Sequence, residues 1–149
     1  MRILKPLAGT AFTLLTILLL ASATQAHAQL PRYLHAISDL RSARVYLQQD
    51  LRPEFAGHRQ HAIDEISKSI DEMKMAARDD GKNPWHTPPP QSGGNPGAPI
   101  HTALRLLDEA YNDVAYGADT PENRGLQARS LRHIDEARHE LHHILDAER

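Results

Sequence analysis

The chain has 149 residues, a formal net charge of −2 with histidine neutral, and no cysteine. This mildly acidic balance, without a basic run, gives no electrostatic basis for binding nucleic acid or an anionic membrane. The absence of cysteine excludes thiolate metal sites and haem attachment through paired cysteines. Ten histidines are the compositional outlier, and imidazole serves both metal binding and pH-dependent charge.

Residues 1–28 have the pattern of a secretory signal peptide. Two basic residues stand within the first five, residues 7–21 are uncharged and largely apolar, and residues 26–28 (Ala-His-Ala) form a small-x-small cleavage site. The apolar run is shorter than the ~20 residues that a membrane-spanning helix needs. We therefore expect cleavage after Ala28, localisation in the periplasm or the medium, and no membrane association afterwards.

The remaining segment, residues 29–149, has the size of one domain. Its net charge is −4, because the leader holds two basic residues and no acidic one. Four amphipathic segments carry apolar residues at 3–4 spacing, and no segment shows the alternation of a half-buried strand. We therefore predict an all-α domain, an antiparallel four-helix bundle made of two helical hairpins. The predicted helices cover residues 31–51, 54–80, 99–117 and 121–147.

Local signals mark the ends of these helices. Gly81 follows the second segment at the place of a left-handed cap residue. Pro99 stands in the first turn of the third segment, where its missing N–H costs nothing. Thr120 and Pro121 provide a capping residue and a first helical residue for the fourth segment.

Each predicted helix has one apolar stripe and a charged opposite face, so the four stripes should form one core. The stretch 36–43, Ala-Ile-x-x-Leu-x-x-Ala, recurs as 103–110, Ala-Leu-x-x-Leu-x-x-Ala. A duplicated helical hairpin and shared core periodicity explain this recurrence about equally well. The predicted core residues are Leu34, Ile37, Leu40, Leu47, Ile66, Ile70, Met73, Leu104, Leu107, Tyr111, Val114, Ile134, Leu141 and Ile144.

Residues 82–98 connect the two hairpins and contain five prolines and three glycines. That composition excludes a helix and favours a partly extended loop. We expect the loop to pack as a lid over one end of the bundle, and a binding role for Trp85 is the alternative. Because the loop is long, a domain-swapped homodimer is an alternative to the monomer.

The C-terminal helix carries the best candidate for a chemical site. At ~100° per residue, Glu136, His139 and His143 share one face, away from the apolar stripe. Asp135 and His142 belong to a second, overlapping stripe. Imidazole and carboxylate groups at this spacing can hold Zn, Cu or Ni. We expect a divalent metal site at Glu136, His139 and His143, with His142 and Asp135 as alternate ligands.

A second cluster lies on the second helix, where His58, His61 and Glu65 occupy neighbouring turns. We expect it to form a separate, weaker metal site. The alternative for both clusters is an ordinary solvated face, because Glu–His pairs at i,i+4 stabilise a helix slightly without any ion.

The sequence predicts neither an enzyme nor a di-iron centre. Di-iron bundles need a Glu-x-x-His motif on each of two helices, whereas both such motifs here, 136–139 and 140–143, lie on one helix. No serine stands in a nucleophile elbow, and the chain has no Gly-rich phosphate loop. We therefore expect a non-enzymatic protein without catalytic residues or an organic cofactor.

Two resemblances add to this interpretation. The first rests on the stretch 62–66 (Ala-Ile-Asp-Glu-Ile), on its continuation to 79–84 (Asp-Asp-Gly-Lys-Asn-Pro), and on His86 and Pro88. With these residues the chain resembles uncharacterised small secreted helical proteins of bacteria, which have no assigned activity. More loosely, an exported, cysteine-free, His-rich bundle is similar to small periplasmic metal-binding proteins. Those proteins repeat histidine at a regular spacing that this chain does not keep. The chain also lacks the Leu-Thr-x-x-Gln motif of periplasmic stress chaperones.

Two functions compete on this basis. The first is an exported, non-enzymatic helical bundle that binds a divalent transition metal ion through its His clusters and buffers or senses it. The alternative is a periplasmic structural or chaperone-like interaction module, which holds a protein partner near Trp85 and has no metal role.

Overall fold

Four α-helices account for most of residues 30–87, 98–117 and 123–149, which are the parts of the chain that the computed structural model describes. No strand occurs among these residues, so the prediction of an all-α four-helix bundle is confirmed. None of their helices combines the length and the apolar character needed to span a bilayer. The helices are α1 Leu30–Gln49, α2 Ala56–Asp79, α3 Pro99–Ala115 and α4 Arg124–Ala147, with a 3-10 turn at Pro53–Phe55 before α2.

The helix ends follow the predicted local signals where they are described. Gly81 adopts φ +68, and its N–H donates to the carbonyl of Arg78 while that of Lys82 donates to the carbonyl of Ala77. These two bonds form a Schellman motif, which needs a left-handed residue at this place. Pro99 is the first residue of α3, as predicted. The predicted signal peptide and the predicted start of the fourth helix lie outside the described residues.

Each helix is antiparallel to both of its neighbours. α2 runs along α4 from His58, beside Glu140, to Asp80, which accepts a hydrogen bond of 2.8 Å from Asn123. α1 runs along α3 in the same antiparallel manner. These two pairs make the most extensive contacts, and the hairpins predicted from the short links, α3–α4 and α1–α2, make smaller ones. The order around the bundle is therefore α1, α3, α4, α2.

Since α2 and α3 run in the same direction, residues 80–98 join opposite ends of the bundle. α2 ends beside the start of α4, whereas Pro99 lies beside Glu148, just past the end of α4. Thr87 accepts a hydrogen bond of 2.6 Å from Arg41, which lies well inside α1. At Thr87 the described part of this link therefore lies beside the middle of α1 rather than over an end of the bundle. The rest of the predicted lid, residues 88–97, lies outside the described residues.

The core is one continuous apolar cluster from all four helices. Leu106 is fully buried, whereas Leu104 and Tyr111, which were predicted for the core, are only partly buried. The buried stripe of α3 is thus rotated by roughly 60°, at 100° per residue, from its predicted position. The fully buried Ala103 and Ala110 account for this shift, because small side chains let α3 approach its neighbours closely. The other predicted core residues are buried, except for the half-buried Leu34: Ile37, Leu40, Leu47, Ile66, Ile70, Met73, Leu107, Val114, Ile134, Leu141 and Ile144.

The repeated stretches 36–43 and 103–110 belong to the same α1–α3 contact, where Asp39 and Glu109 line a common groove. Their alanines and the leucines at their fifth positions, Leu40 and Leu107, are fully buried. A two-fold axis perpendicular to the helices would pair equivalent stretches in this antiparallel manner. The arrangement is compatible with a duplicated hairpin.

Replacing Leu107 with Asp should unfold the bundle, because a lone carboxylate in an apolar core is very costly. Leu107 is fully buried, and the lost side chain and added charge together should cost about 5 kcal/mol, comparable to the stability of a small domain. The matched control is Leu51→Asp, because Leu51 is 83% exposed. Heating monitored by far-UV circular dichroism measures both variants. An unchanged melting temperature in Leu107→Asp would show that this stripe is not core.

Candidate metal centre

Polar side chains line one edge of the contact between α2 and α4. They follow 3–4 spacing beside each apolar stripe, so the helical period places them on facing edges of the two helices. Ser69 Oγ and Ser130 Oγ lie 2.7 Å apart, and Arg129 donates twice to Glu72, at 2.8 and 2.9 Å. We call this edge the α2–α4 seam; it consists of His58, His61, Glu65, Ser69 and Glu72 on α2 and Arg129, Ser130, His133, Glu136 and Glu140 on α4.

Glu140 occupies the centre of the histidine-rich end of the seam. Its Oε2 lies 2.6 Å from His58 Nδ1, and its Oε1 lies 3.0 Å from His61 Nδ1. Burial by itself raises the pKa of Glu140, but the hydrogen bonds with His58 and His61 outweigh it and hold the pKa below its usual value. Glu140 is therefore a half-buried, ionised carboxylate that orients two imidazoles from the opposite helix.

Glu65 forms a second carboxylate centre further along the seam. Its side chain is 7% exposed and accepts bonds of 2.5 Å from Lys68 Nζ and 2.6 Å from His133 Nδ1. Burial raises the pKa of Glu65, but these bonds to Lys68 and His133 outweigh it and lower the pKa. Both of its oxygens are thus hydrogen-bonded within the protein. Glu65 Oε1 also lies 3.6 Å from His61 Nε2, which is the i,i+4 pair expected from the sequence.

Three seam residues have the spacing of a metal site. One potential ligand atom from each of His61, Glu136 and Glu140 lies within 4.8 Å of the other two, and this is the only such group in the described parts of the chain. His61 and Glu136 are exposed and Glu140 is half-buried. The group combines α2 with α4, so the two His clusters that were expected as separate sites meet here.

The other ligands predicted on α4 lie outside this group, and only some of them are close to it. His139 Nε2 and His143 Nε2 are 2.9 Å apart, and the His143 ring lies 5.6 Å from that of His58. These three rings extend the cluster toward the end of the bundle. Asp135 instead pairs with Arg138 on the other side of α4 at 2.8 Å, and His142 is exposed. The alternate ligands His142 and Asp135 are thus not part of the described cluster.

The sequence prediction misses Glu140 as a site residue. A signal for it is present, because Glu136 and Glu140 stand one turn apart beside the fully buried Ala137 and Leu141. Acidic residues directly beside an apolar stripe lie at the edge of a helix–helix contact, where a neighbouring helix can supply partners.

The observed spacings suit a small divalent ion. Metal–ligand bonds of about 2.0–2.1 Å at a tetrahedral angle separate neighbouring donors by about 3.3 Å. The pair His61 Nδ1–Glu140 Oε1 stands at 3.0 Å and the pair His139 Nε2–His143 Nε2 at 2.9 Å. Each pair needs to open by only a few tenths of an ångström to share one ion.

Comparisons of this chain with protein-family models, with curated proteins and with solved structures found no match. The site is therefore interpreted from its own chemistry. Its donors are imidazole nitrogens and carboxylate oxygens, a set that favours divalent transition metals over the oxygen-only preference of Mg²⁺ or Ca²⁺.

Glu65→Gln should lower the free energy of unfolding by about 1–2 kcal/mol at neutral pH, because bonds to a charged group are stronger than neutral ones. The pKa of Glu65 is lowered in the folded state. Its stabilisation is therefore complete above the unfolded pKa and lost as the pH falls through the folded pKa. Urea unfolding near pH 7 and near pH 3 should show the difference from wild type shrinking toward zero in acid.

The control for this measurement is Asp71→Asn, which removes an exposed carboxylate paired with Lys74 at 3.2 Å. Such a surface pair contributes little, so the variant should match wild type at both pH values. A Glu65→Gln deficit of equal size near pH 3 would contradict the assigned cause.

Proposed function

We propose that this chain is an exported, non-enzymatic four-helix-bundle protein that binds a divalent transition metal ion, Zn²⁺, Cu²⁺ or Ni²⁺, at the α2–α4 seam. The observation that supports this most directly is the group His61, Glu136 and Glu140, whose donor atoms converge from two helices. Export is proposed from the residue pattern of positions 1–28, and the absence of catalytic motifs from the sequence supports a binding role.

The surroundings of the group favour reversible binding. Glu140 contacts two imidazoles through its separate oxygens, so both rings are already held beside the group before an ion binds. His58, His139 and His143 stand next to the group and offer further nitrogen donors. Because His61 and Glu136 are exposed, an ion can reach and leave the site from solvent. That accessibility suits buffering or sensing better than a buried structural ion.

The alternative is a structural or chaperone-like module that binds a protein partner. It is favoured by Trp85, which is 64% exposed and has Lys74 Nζ at 5.0 Å from its ring centroid. An exposed aromatic on a connecting segment is a common feature of protein-binding surfaces. A failure of the metal titration would leave this module as the better function.

Calorimetric titration of the tag-free protein with Zn²⁺, Cu²⁺ and Ni²⁺ should give a Kd below about 10 µM, equivalent to about −7 kcal/mol, for at least one ion. The double variant His61→Ala, Glu140→Gln should weaken that binding by about tenfold or more, because it removes a ligand from each helix. His139→Ala with His143→Ala tests the neighbouring rings in the same way. The matched control is His101→Ala, since His101 is an exposed histidine on α3 outside the seam.

Binding requires neutral imidazole, so the affinity should fall as the pH drops through ~6.5. Circular dichroism of each variant separates lost ligands from lost fold. Three results would contradict the proposal. They are binding weaker than about 10 µM for all three ions, full affinity in both double variants, or an affinity that stays constant as the pH is lowered through ~6.5.

A further inference from the structure

A second polar feature, the α1–α3 groove, lies on the side of the bundle opposite the α2–α4 seam. It has a volume of about 400 Å³, within the range of small-molecule sites. Asp39, at 3% exposure, is its most buried lining residue and forms its floor. Glu109 and Asp113 are half-buried, and His35 and Asn112 are exposed at its rim.

The floor of the α1–α3 groove carries an unsatisfied acceptor. Asp39 Oδ1 has no hydrogen-bond donor within the described parts of the chain, although it is shielded from solvent. Buried polar atoms are normally partnered. Asp39 lines the groove with one carboxylate oxygen left without a donor, which points to a positive group supplied from outside. Burial, followed by the charges of Glu109 and Asp113, raises the pKa of Asp39 from 3.8 to about 6.

The neighbouring cations Arg105 and Arg32 balance only part of the negative charge of this site. Arg105 donates to Glu109 at 2.5 Å, and Arg32 donates to the carbonyl of Tyr116 at 2.6 Å. Burial also raises the pKa of Asp113, which shows that a second carboxylate of the groove lacks sufficient positive charge around it. The α1–α3 groove therefore has an excess of negative charge and an unused hydrogen-bond acceptor at its floor.

The spacing of these acids argues against a bare metal ion. Among the described residues only the group on the α2–α4 seam brings three ligand atoms within 4.8 Å of one another. The carboxylates of the groove are more widely spread, and the volume exceeds what a single ion fills. A larger cation that carries several N–H donors matches both the spread and the volume.

We propose that the α1–α3 groove binds a small protonated aliphatic amine, with one ammonium group donating to the carboxylate of Asp39 and the positive charge shared with Asp113. An aliphatic ammonium has three donors and, like the lysine side chain, stays charged well above neutral pH. A diamine fits best, because Arg105 already pairs with Glu109 and two further carboxylates of the groove, Asp39 and Asp113, remain to be matched.

Binding should strengthen as the pH rises through about 6, because the ammonium favours ionised Asp39. The charged groups that act on Asp39 are Glu109, Asp113 and Arg105 from α3 and His35 from α1. Acidification removes the negative charges of Asp39 and Asp113, whose pKa values are both raised by burial. The loss of these charges weakens the attraction for a cation.

The test is a calorimetric titration of the tag-free protein with 1,4-diaminobutane at low salt near pH 8, repeated near pH 5. Asp39→Asn should weaken binding by about tenfold or more, because it keeps the shape of the side chain but removes its charge. Asp113→Asn should weaken it by a smaller factor. The control Asp71→Asn makes the same chemical change at a 72% exposed side chain and should bind like wild type.

Asp39→Asn should keep or raise the melting temperature, since it removes a buried unpaired charge, so lost binding cannot be attributed to unfolding. No binding of millimolar diaminobutane, or equal binding by wild type and Asp39→Asn, would overturn the proposal. Binding of Mn²⁺ or Mg²⁺ that disappears in Asp39→Asn, in the absence of amine binding, would overturn the ligand class. The double variant His61→Ala, Glu140→Gln should bind the amine normally, which separates this result from the metal proposal.

Discussion

The antiparallel register of α2 against α4 is the constraint on which the rest of this structure depends. Apolar stripes alone specify that two helices pack, but they tolerate sliding. The α2–α4 seam removes that freedom, because the buried Ser69 and Ser130 are paired at 2.7 Å and the buried Glu65 is paired with the half-buried His133 at 2.6 Å. A slip by one turn would leave these groups unpartnered, at about 1–3 kcal/mol each. The fixed register in turn sets the distance between His61 and Glu140.

The sequence was sufficient for the presence of the four helices and for the helix ends at Gly81 and Pro99, since each stripe has a clear period and these two residues act through local backbone geometry. It was insufficient for the pairing of helices. Short links require α1–α2 and α3–α4 to be antiparallel neighbours, yet the deeper contacts are α1–α3 and α2–α4. The misplaced stripe of α3 has the same origin, because large side chains such as Leu104 dominate a hydrophobic pattern whereas Ala103 and Ala110 decide how closely helices approach.

The candidate site shows the same limit. The angular position of residues on one helix correctly brings His139 and His143 together, since 3–4 spacing fixes that distance. It cannot bring Glu136 and Glu140 to His61, because that contact depends on the register between two helices. The two clusters therefore appear separate in the sequence and meet in the structure, with Glu140 between them.

The two acidic surfaces of the bundle differ in how their charge is balanced. Along the α2–α4 seam, Glu65, Glu72 and Glu140 each meet a lysine, arginine or histidine. In the α1–α3 groove the pKa of Asp39 rises from 3.8 to about 6, so keeping it ionised at neutral pH costs about 3 kcal/mol. That is a large share of the stability of a small domain. A cation that binds the folded state alone would offset this cost, which ties occupancy of the groove to the stability of the α1–α3 contact.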